Sequence, residues 1–301
     1  MNLKDLYIGM IGVFLASAAC DSKIKRSEHS SIESRVKINN LETNRISLTN
    51  DFFADGTLNV GVVSDIEGAI DRAELSAKAL KDNKVDIILI AGDLYENENI
   101  RKNPLYPTST NNVDEMLSGI RPYAKIGVPV FVIAGNHEES PVYTNALALL
   151  KKEFPHVHDI SRRSADLNGI NIVGLGGYHD PKFIAKQGFM IKRQDYMRSE
   201  NEIVELMQKK DPLVFMTHGP PLATNNIDYV KGVGHVGDPE IARILSNKYS
   251  RQITHVHGHI HEGGGTNSYY PAGFSINVSS ITPYNSSQRE LDHTILIYPK
   301  K

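Results

Sequence analysis

The 301-residue chain holds a single cysteine, Cys20. It therefore makes no internal disulfide and has no thiolate cluster for zinc. Positive charge is not in excess: 33 Lys and Arg stand against 35 Asp and Glu, a net charge of -2. A basic nucleic-acid-binding face, and so a nucleic-acid partner, gets no support from that balance. The apolar stretch at residues 6–19 falls short of a bilayer span, which needs about 20 residues. Internal repeats and low-complexity tracts are missing too. What remains, 40% hydrophobic and 23% charged, is the composition of an ordinary globular protein. The length allows one large core or two modest ones.

The short apolar stretch, with Lys4 upstream, suits the central region of a signal peptide. Ala18-Ala19-Cys20 at its end resembles a bacterial lipoprotein box. The resemblance implies an exported protein with lipid on Cys20 and a membrane as partner. Ser17 stands where that pattern prefers Leu. Cleavage after Ala18 or Ala19, giving a soluble secreted or periplasmic protein, is one alternative; an uncleaved N-terminal helix is another. Residues 1–20 are thus read as a leader, 21–54 as a polar tether and 55–301 as the folded domain.

Within that domain, apolar runs predict strands at residues 58–64, 85–91, 128–134, 170–175, 213–217, 253–257, 275–279 and 294–298. The run 85–91 is apolar throughout, as in a strand buried on both faces. Ile70, Ala73, Ala77 and Leu80 recur at helical spacing, 113–123 suits a helix, and Pro141 opens another that includes 146–150. Early alternation of strand and helix implies βαβ units, and the crowded strands after Ile253 imply mixed pairing. The expected fold is α/β: a four-layer α/β/β/α sandwich with two mixed sheets.

Five polar motifs hang on the ends of these runs: Asp65-Ile66-Glu67, Gly92-Asp93, Gly135-Asn136-His137-Glu138, Thr217-His218-Gly219 and Gly258-His259-Ile260-His261. Nearly all of their polar side chains can ligate a metal, and ligands gather at the carboxyl ends of strands in open α/β sheets. Singly, each motif has an ordinary structural explanation. In this order, across residues 58–280, they resemble the calcineurin-like metallophosphoesterase superfamily, with a metallo-dependent phosphatase-like fold. Thr217–Leu222 and Gly258–Gly263 look closest to its branch of small metallophosphoesterase-domain proteins, which resemble class III cyclic-nucleotide phosphodiesterases.

The resemblance implies two divalent cations and a small phosphorylated substrate, with a diester favoured over a monoester. Asp65, Glu67, Asp93 and His261 would hold one cation, and Asp93, Asn136, His218 and His259 the other, with Asp93 shared. A metal-bound hydroxide would attack phosphorus, with His137 as proton donor or charge stabiliser at the leaving oxygen. Glu67 departs from the family, which has His there. A hard carboxylate oxygen favours Mn²⁺, Mg²⁺ or Fe²⁺ over Zn²⁺, Mn²⁺ foremost. If Glu67 instead points away, the first site is weak or empty.

Glu96 and Glu138 are candidates to support the ligands from behind, with helix-start charge as the alternative. His235, in Gly-His-Val-Gly before a helix, and His179, in Tyr178-His179-Asp180, are candidate substrate contacts; loop packing is the alternative for His235. His255 and His257 share one strand face. Two insertions, 97–112 and 178–194, are placed to set specificity, and the second carries Lys182, Lys186, Lys192 and Arg193. Lys151-Lys152 and Lys209-Lys210 read as solvated helix faces. Two rivals stand beside the phosphoesterase: a metallo-β-lactamase-like hydrolase, which lacks its Asp here, and a non-catalytic metal-binding or scaffolding lipoprotein, in which His137 would be idle.

Overall fold

The structure, a computed structural model, describes residues 31–38, 41–48, 56–96, 112–223, 225–250, 252–279 and 293–299. The leader with Cys20 and most of the first insertion, 97–111, lie outside the described residues.

Two large sheets face each other. The smaller is built from β3 (Thr57–Val63), β4 (Ile87–Ile90), β5 (Val130–Val132), β6 (Val157–Asp159) and β15 (Thr294–Pro299), in the order β15-β3-β4-β5-β6. Its pairings are parallel except at the edge, where β15 runs antiparallel to β3. Helices α1 (Ile70–Asp82), α2 (Asn112–Ala124) and α3 (Ser140–Glu153) make the crossovers that parallel strands require. The larger sheet joins β1 (Ser31–Ile38), β2 (Leu41–Leu48), β7 (Ser164–Leu167), β8 (Ile170–Leu175), β9 (Leu213–Thr217), β12 (Ile253–His257), β13 (Asn267–Tyr270) and β14 (Gly273–Asn277), in the order β1-β2-β7-β8-β9-β12-β14-β13. Helices α4 (Arg193–Leu206) and α5 (Pro239–Ser246) cover its outer face. A short hairpin, β10 (Tyr229–Val230) with β11 (Gly234–His235), stands apart from both sheets.

Side-chain alternation explains the layering. Ile87 and Leu89 of β4 join the core between the sheets, while Ile88 and Ile90 join the core under α1–α3. All four are fully buried, so an unbroken apolar run is what this strand needs. In β9, Val214 and Met216 face the other sheet while Leu213 and Phe215 face α4 and α5. Three cores thus separate four layers, and the α/β/β/α sandwich with mixed sheets is as expected.

Three local expectations need correction. Residues 31–38 and 41–48, read as tether, form two antiparallel strands, the second of which pairs in parallel with β7. Ile46 and Leu48 are buried, and Arg45 is held by Glu202 and Glu205 of α4. The second insertion ends at Lys192, since Arg193 and Gln194 open α4. Lys209 and Lys210 lie beyond α4, and the Lys209 ammonium pairs with Asp166.

Candidate metal centre

Both sheets present their parallel strand ends to the same edge, and a parallel bridge between Ser64 and Ser279 ties the end of β3 to the end of β14. The five motifs therefore meet. Donor atoms of Asp65, Glu67 and His261 lie within 4.8 Å of one another, as do those of Asp93, His218 and His259. A third group, Glu67, Asp93 and His137, overlaps both within the same 4.8 Å limit. Asp93 and Glu67, one from each of the first two groups, thus meet in the third, which puts the Asp93 carboxylate between the two sets.

Backbone geometry builds the cluster. Asp65, Glu67, Asp93 and His259 all have positive φ, at 55°, 42°, 53° and 72°. Left-handed backbone is costly for residues with a Cβ and gathers at functional sites. Here it turns each chain sharply at its strand end. Glycine permits the close approach: a Cβ on Gly135 would collide with the Asp93 carboxylate, and one on Gly258 with the Asp65 carboxylate. The Asp65 amide donates to the Gly92 carbonyl at 3.0 Å and the Glu67 amide to the Asp93 carbonyl at 3.1 Å, locking the first two motifs side by side.

Around Asp93, three other donors converge. The Asn136 Oδ1 is 2.8 Å from His218 Nε2 and 2.8 Å from His259 Nδ1, and the Asp93 Oδ2 is 3.2 Å from His218 Nε2. The other nitrogen of His218 is engaged by the Ala91 carbonyl at 2.8 Å, which orients the ring and leaves Nε2 for the centre. On the other side, His261 Nε2 stands 3.3 Å from both Asp65 Oδ1 and Glu67 Oε1. The Glu67 side chain therefore faces the cluster. His137 lies between, its ring nitrogens 3.8 Å from Glu67 and 3.7 Å from Asp93, with its amide donating to Asp93 Oδ1 at 3.0 Å.

Three carboxylates buried this deeply demand positive charge. Burial pushes the Asp65 pKa up, but the His261 hydrogen bond and charge bring it down to about 2. Burial likewise opposes ionisation of Asp93, and His137 and His218 hold it far below the usual carboxylate range. Burial lowers the His218 pKa, and Asp93 overrides it to about 9. His261 is raised in the same way by Glu67 and Asp65 against burial, while burial and the charge of His218 lower His259. Protons on His218 and His261 supply the positive charge that bound cations would otherwise bring. Hard oxygens and imidazole nitrogens in two adjoining sets fit a pair of divalent ions.

A supporting layer holds the ligands. Glu138 is fully buried and accepts the amides of Asp93 at 3.2 Å, Leu94 at 2.6 Å and, closer still, Gly135. Desolvation and the Asp93 charge raise its pKa to about 7. Ser279 donates its hydroxyl to Asp65, whose carboxylate also accepts the His259 amide at 3.0 and 3.1 Å. Asn277 donates to the Ile260 carbonyl at 2.8 Å, bracing the turn between His259 and His261. The Phe183 carbonyl accepts from Asn136 Nδ2 at 2.7 Å, and the Tyr178 ring packs 4.3 Å from the His259 ring. Ser279, Asn277 and Phe183 carry no motif signal; a hydroxyl, an amide and a backbone carbonyl acquire these roles only through the fold.

The remaining candidates lie outside the cluster. The Glu96 amide donates to Glu115 at 3.0 Å. His179 rests against the Tyr178 ring, 3.8 Å from Asp238. His235 bonds Asp228 at 2.7 Å. His255 bonds Thr217 at 2.9 Å and Ser275 at 2.7 Å inside the large sheet, and His257 bonds the Gly258 carbonyl at 3.0 Å.

Comparison with known proteins agrees. No curated protein sequence matches the chain. Among solved structures, TT1561 of Thermus thermophilus superposes with a TM-score of 0.53 at 16% identity, covering 75% of this chain and 90% of its own. A dimetal phosphatase from Danio rerio superposes with a TM-score of 0.52 at 12% identity, covering 80% of this chain and 92% of its own. At such identities the agreement is one of fold. The family description of the calcineurin-like phosphoesterases matches residues 58–263, a span that takes in all five motifs. The chain belongs to the calcineurin-like phosphoesterase family and is a metal-dependent phosphoric ester hydrolase.

Proposed function

We propose that the chain hydrolyses a phosphodiester at a centre holding two divalent cations, with Mn²⁺ favoured. The observation that carries this reading is the pair of donor sets, Asp65 with Glu67 and His261 and Asp93 with His218 and His259, that a third group of Glu67, Asp93 and His137 joins. Asp65, Glu67, Asp93 and His261 would hold one cation, and Asp93, Asn136, His218 and His259 the other. When bound, such ions neutralise phosphoryl oxygens and acidify water.

The chain's own residues supply the rest. Glu138 fixes the backbone on which Asp93 and Asn136 sit. His137, anchored by its amide to Asp93, presents its ring beside the donor cluster and gives a proton to the departing oxygen. Glu67 favours the diester. It adds an anionic oxygen where the family has a neutral ring, and a dianionic monoester is repelled more than a monoanionic diester. The hard carboxylate also supports Mn²⁺ over softer ions. Export and lipid on Cys20 complete the proposal, placing this activity at a membrane outside the cytoplasm.

Turnover of bis-p-nitrophenyl phosphate and p-nitrophenyl phosphate by the Mn²⁺-loaded protein tests the reading. The diester should be the better substrate. His137→Ala should lower kcat by about 10²–10⁴-fold with metal content unchanged. Equal rates in His137→Ala and wild type would favour the non-catalytic metal-binding protein.

A further inference from the structure

Among the described residues, the segment from Gly219 to Asp238 adds none to the donor sets, yet it packs against the elements that do. On one side the Tyr178 hydroxyl donates to the Val236 carbonyl at 2.6 Å, while the same ring lies 4.3 Å from His259. On the other, the Asn226 carbonyl would lie 3.4 Å from a Cβ on Gly263, in the turn that begins with His261. The β10–β11 hairpin sits between these contacts and sets Tyr229 opposite His235.

The two rings meet edge to face, with centroids 5.4 Å apart and planes at 70°. Both are half-exposed: Tyr229 at 42% and the His235 side chain at 40%. Leu222 and Val233 on the same segment are exposed as well. Behind the pair, Asp228 is fully buried. Its Oδ1 lies 2.7 Å from His235 Nδ1, and its Oδ2 accepts the Ala223 and Gly237 amides at 3.2 Å each. A neutral asparagine oxygen would suffice for the two amides. The carboxylate's second oxygen fixes the tautomer and tilt of a ring that faces outward. An imidazole locked from behind and paired with a tyrosine is a platform for a planar group.

We infer that Tyr229 and His235, with Asp228 as positioning residue, receive a planar apolar arm of the phosphoester substrate. This rests on the phosphoester reading of the metal centre. The contacts through Tyr178 and Asn226 tie the segment that carries this pair to His259 and to the turn that begins with His261, beside the centre that would hold the phosphoryl group.

Two phosphonates with the same anionic head separate the arm from the head. In equilibrium binding to the Mn²⁺-loaded full chain, phenylphosphonate should bind about tenfold more tightly than methylphosphonate. Tyr229→Ala and His235→Ala should each cut that preference severalfold while leaving methylphosphonate affinity unchanged, and Asp228→Asn should cut it less. Tyr229 is exposed enough that its truncation leaves the core intact. A wild type without preference, a preference that survives both truncations, or an equal loss for both phosphonates, as loop packing would give, overturns the inference alone. Failure of both phosphonates to bind overturns the phosphoester reading and the inference with it.

Discussion

Glu138 reaches across to the loop after β4 and accepts the Leu94 amide at 2.6 Å, and the same carboxylate also accepts the amides of Asp93 and Gly135. One buried side chain thereby spaces two ligand-bearing loops. Glu138→Gln replaces one acceptor oxygen with an NH₂ that faces amide donors. Its metal affinity should fall about 10–100-fold, read by titration with Mn²⁺. Glu138→Ala leaves the amides without that acceptor, and its stability should drop by roughly 2–4 kcal/mol in urea unfolding.

Glu67 tests the first donor set. With its oxygen 3.3 Å from His261, removal should cost one of two metal equivalents in Glu67→Ala, measured by elemental analysis. Glu67→His, which restores the family residue, should recover the second equivalent and shift metal preference toward Zn²⁺. Equal metal content in wild type and Glu67→Ala would remove Glu67 from the ligand set.

The pH dependence of metal binding follows from His218. Its pKa in the metal-free fold stands at about 9, raised from 6.5 by Asp93 against burial. A raised folded pKa means that the proton stabilises the metal-free fold. That contribution is fully present below pH 6.5 and is lost as the pH rises through about 9. A cation must displace this proton, so apparent Mn²⁺ affinity should climb across the same window. Binding titrations at pH 6, 7.5 and 9 check it, at roughly the two ends and the middle of that range. Metal-free Tm should move the opposite way.

Acid acts elsewhere. Burial, helped by the nearby Lys151 charge, lowers the His158 pKa to about 4, and the ring stacks on Phe131 at 5.4 Å. A depressed folded pKa gives stability that is present above pH 6.5 and lost as the pH falls through about 4. His158→Phe should keep the stacking and shrink the stability difference between pH 7 and pH 4.5 by roughly 2 kcal/mol.

The parts of the molecule that could be read from sequence share one property: a strong period. β4, β5, β9 and β12 are buried on both faces, so their apolar runs stand out, and the polar motifs at their ends stand out against them. The strands 31–38 and 41–48, α4 and β13 were not legible, because their sequences mix few apolar residues with many polar ones. Helix α4 buries Asp195, Ser199 and Glu202 beside its apolar residues, which blurs its stripe. The ligand types were visible, yet their supports were not. Ser279 reaches Asp65 from 214 positions away, and nothing local to either residue announces that contact.

The strand pair β1–β2 alters what a lipid on Cys20 would mean. Since the larger sheet already begins at Ser31, only residues 21–30 separate that cysteine from a fixed strand. Fully stretched, such a leash spans about 35 Å at most. A hydrolase moored this closely could not sweep the surrounding fluid; it would work within a shell about one protein diameter deep, on molecules that reach the bilayer surface or sit in it.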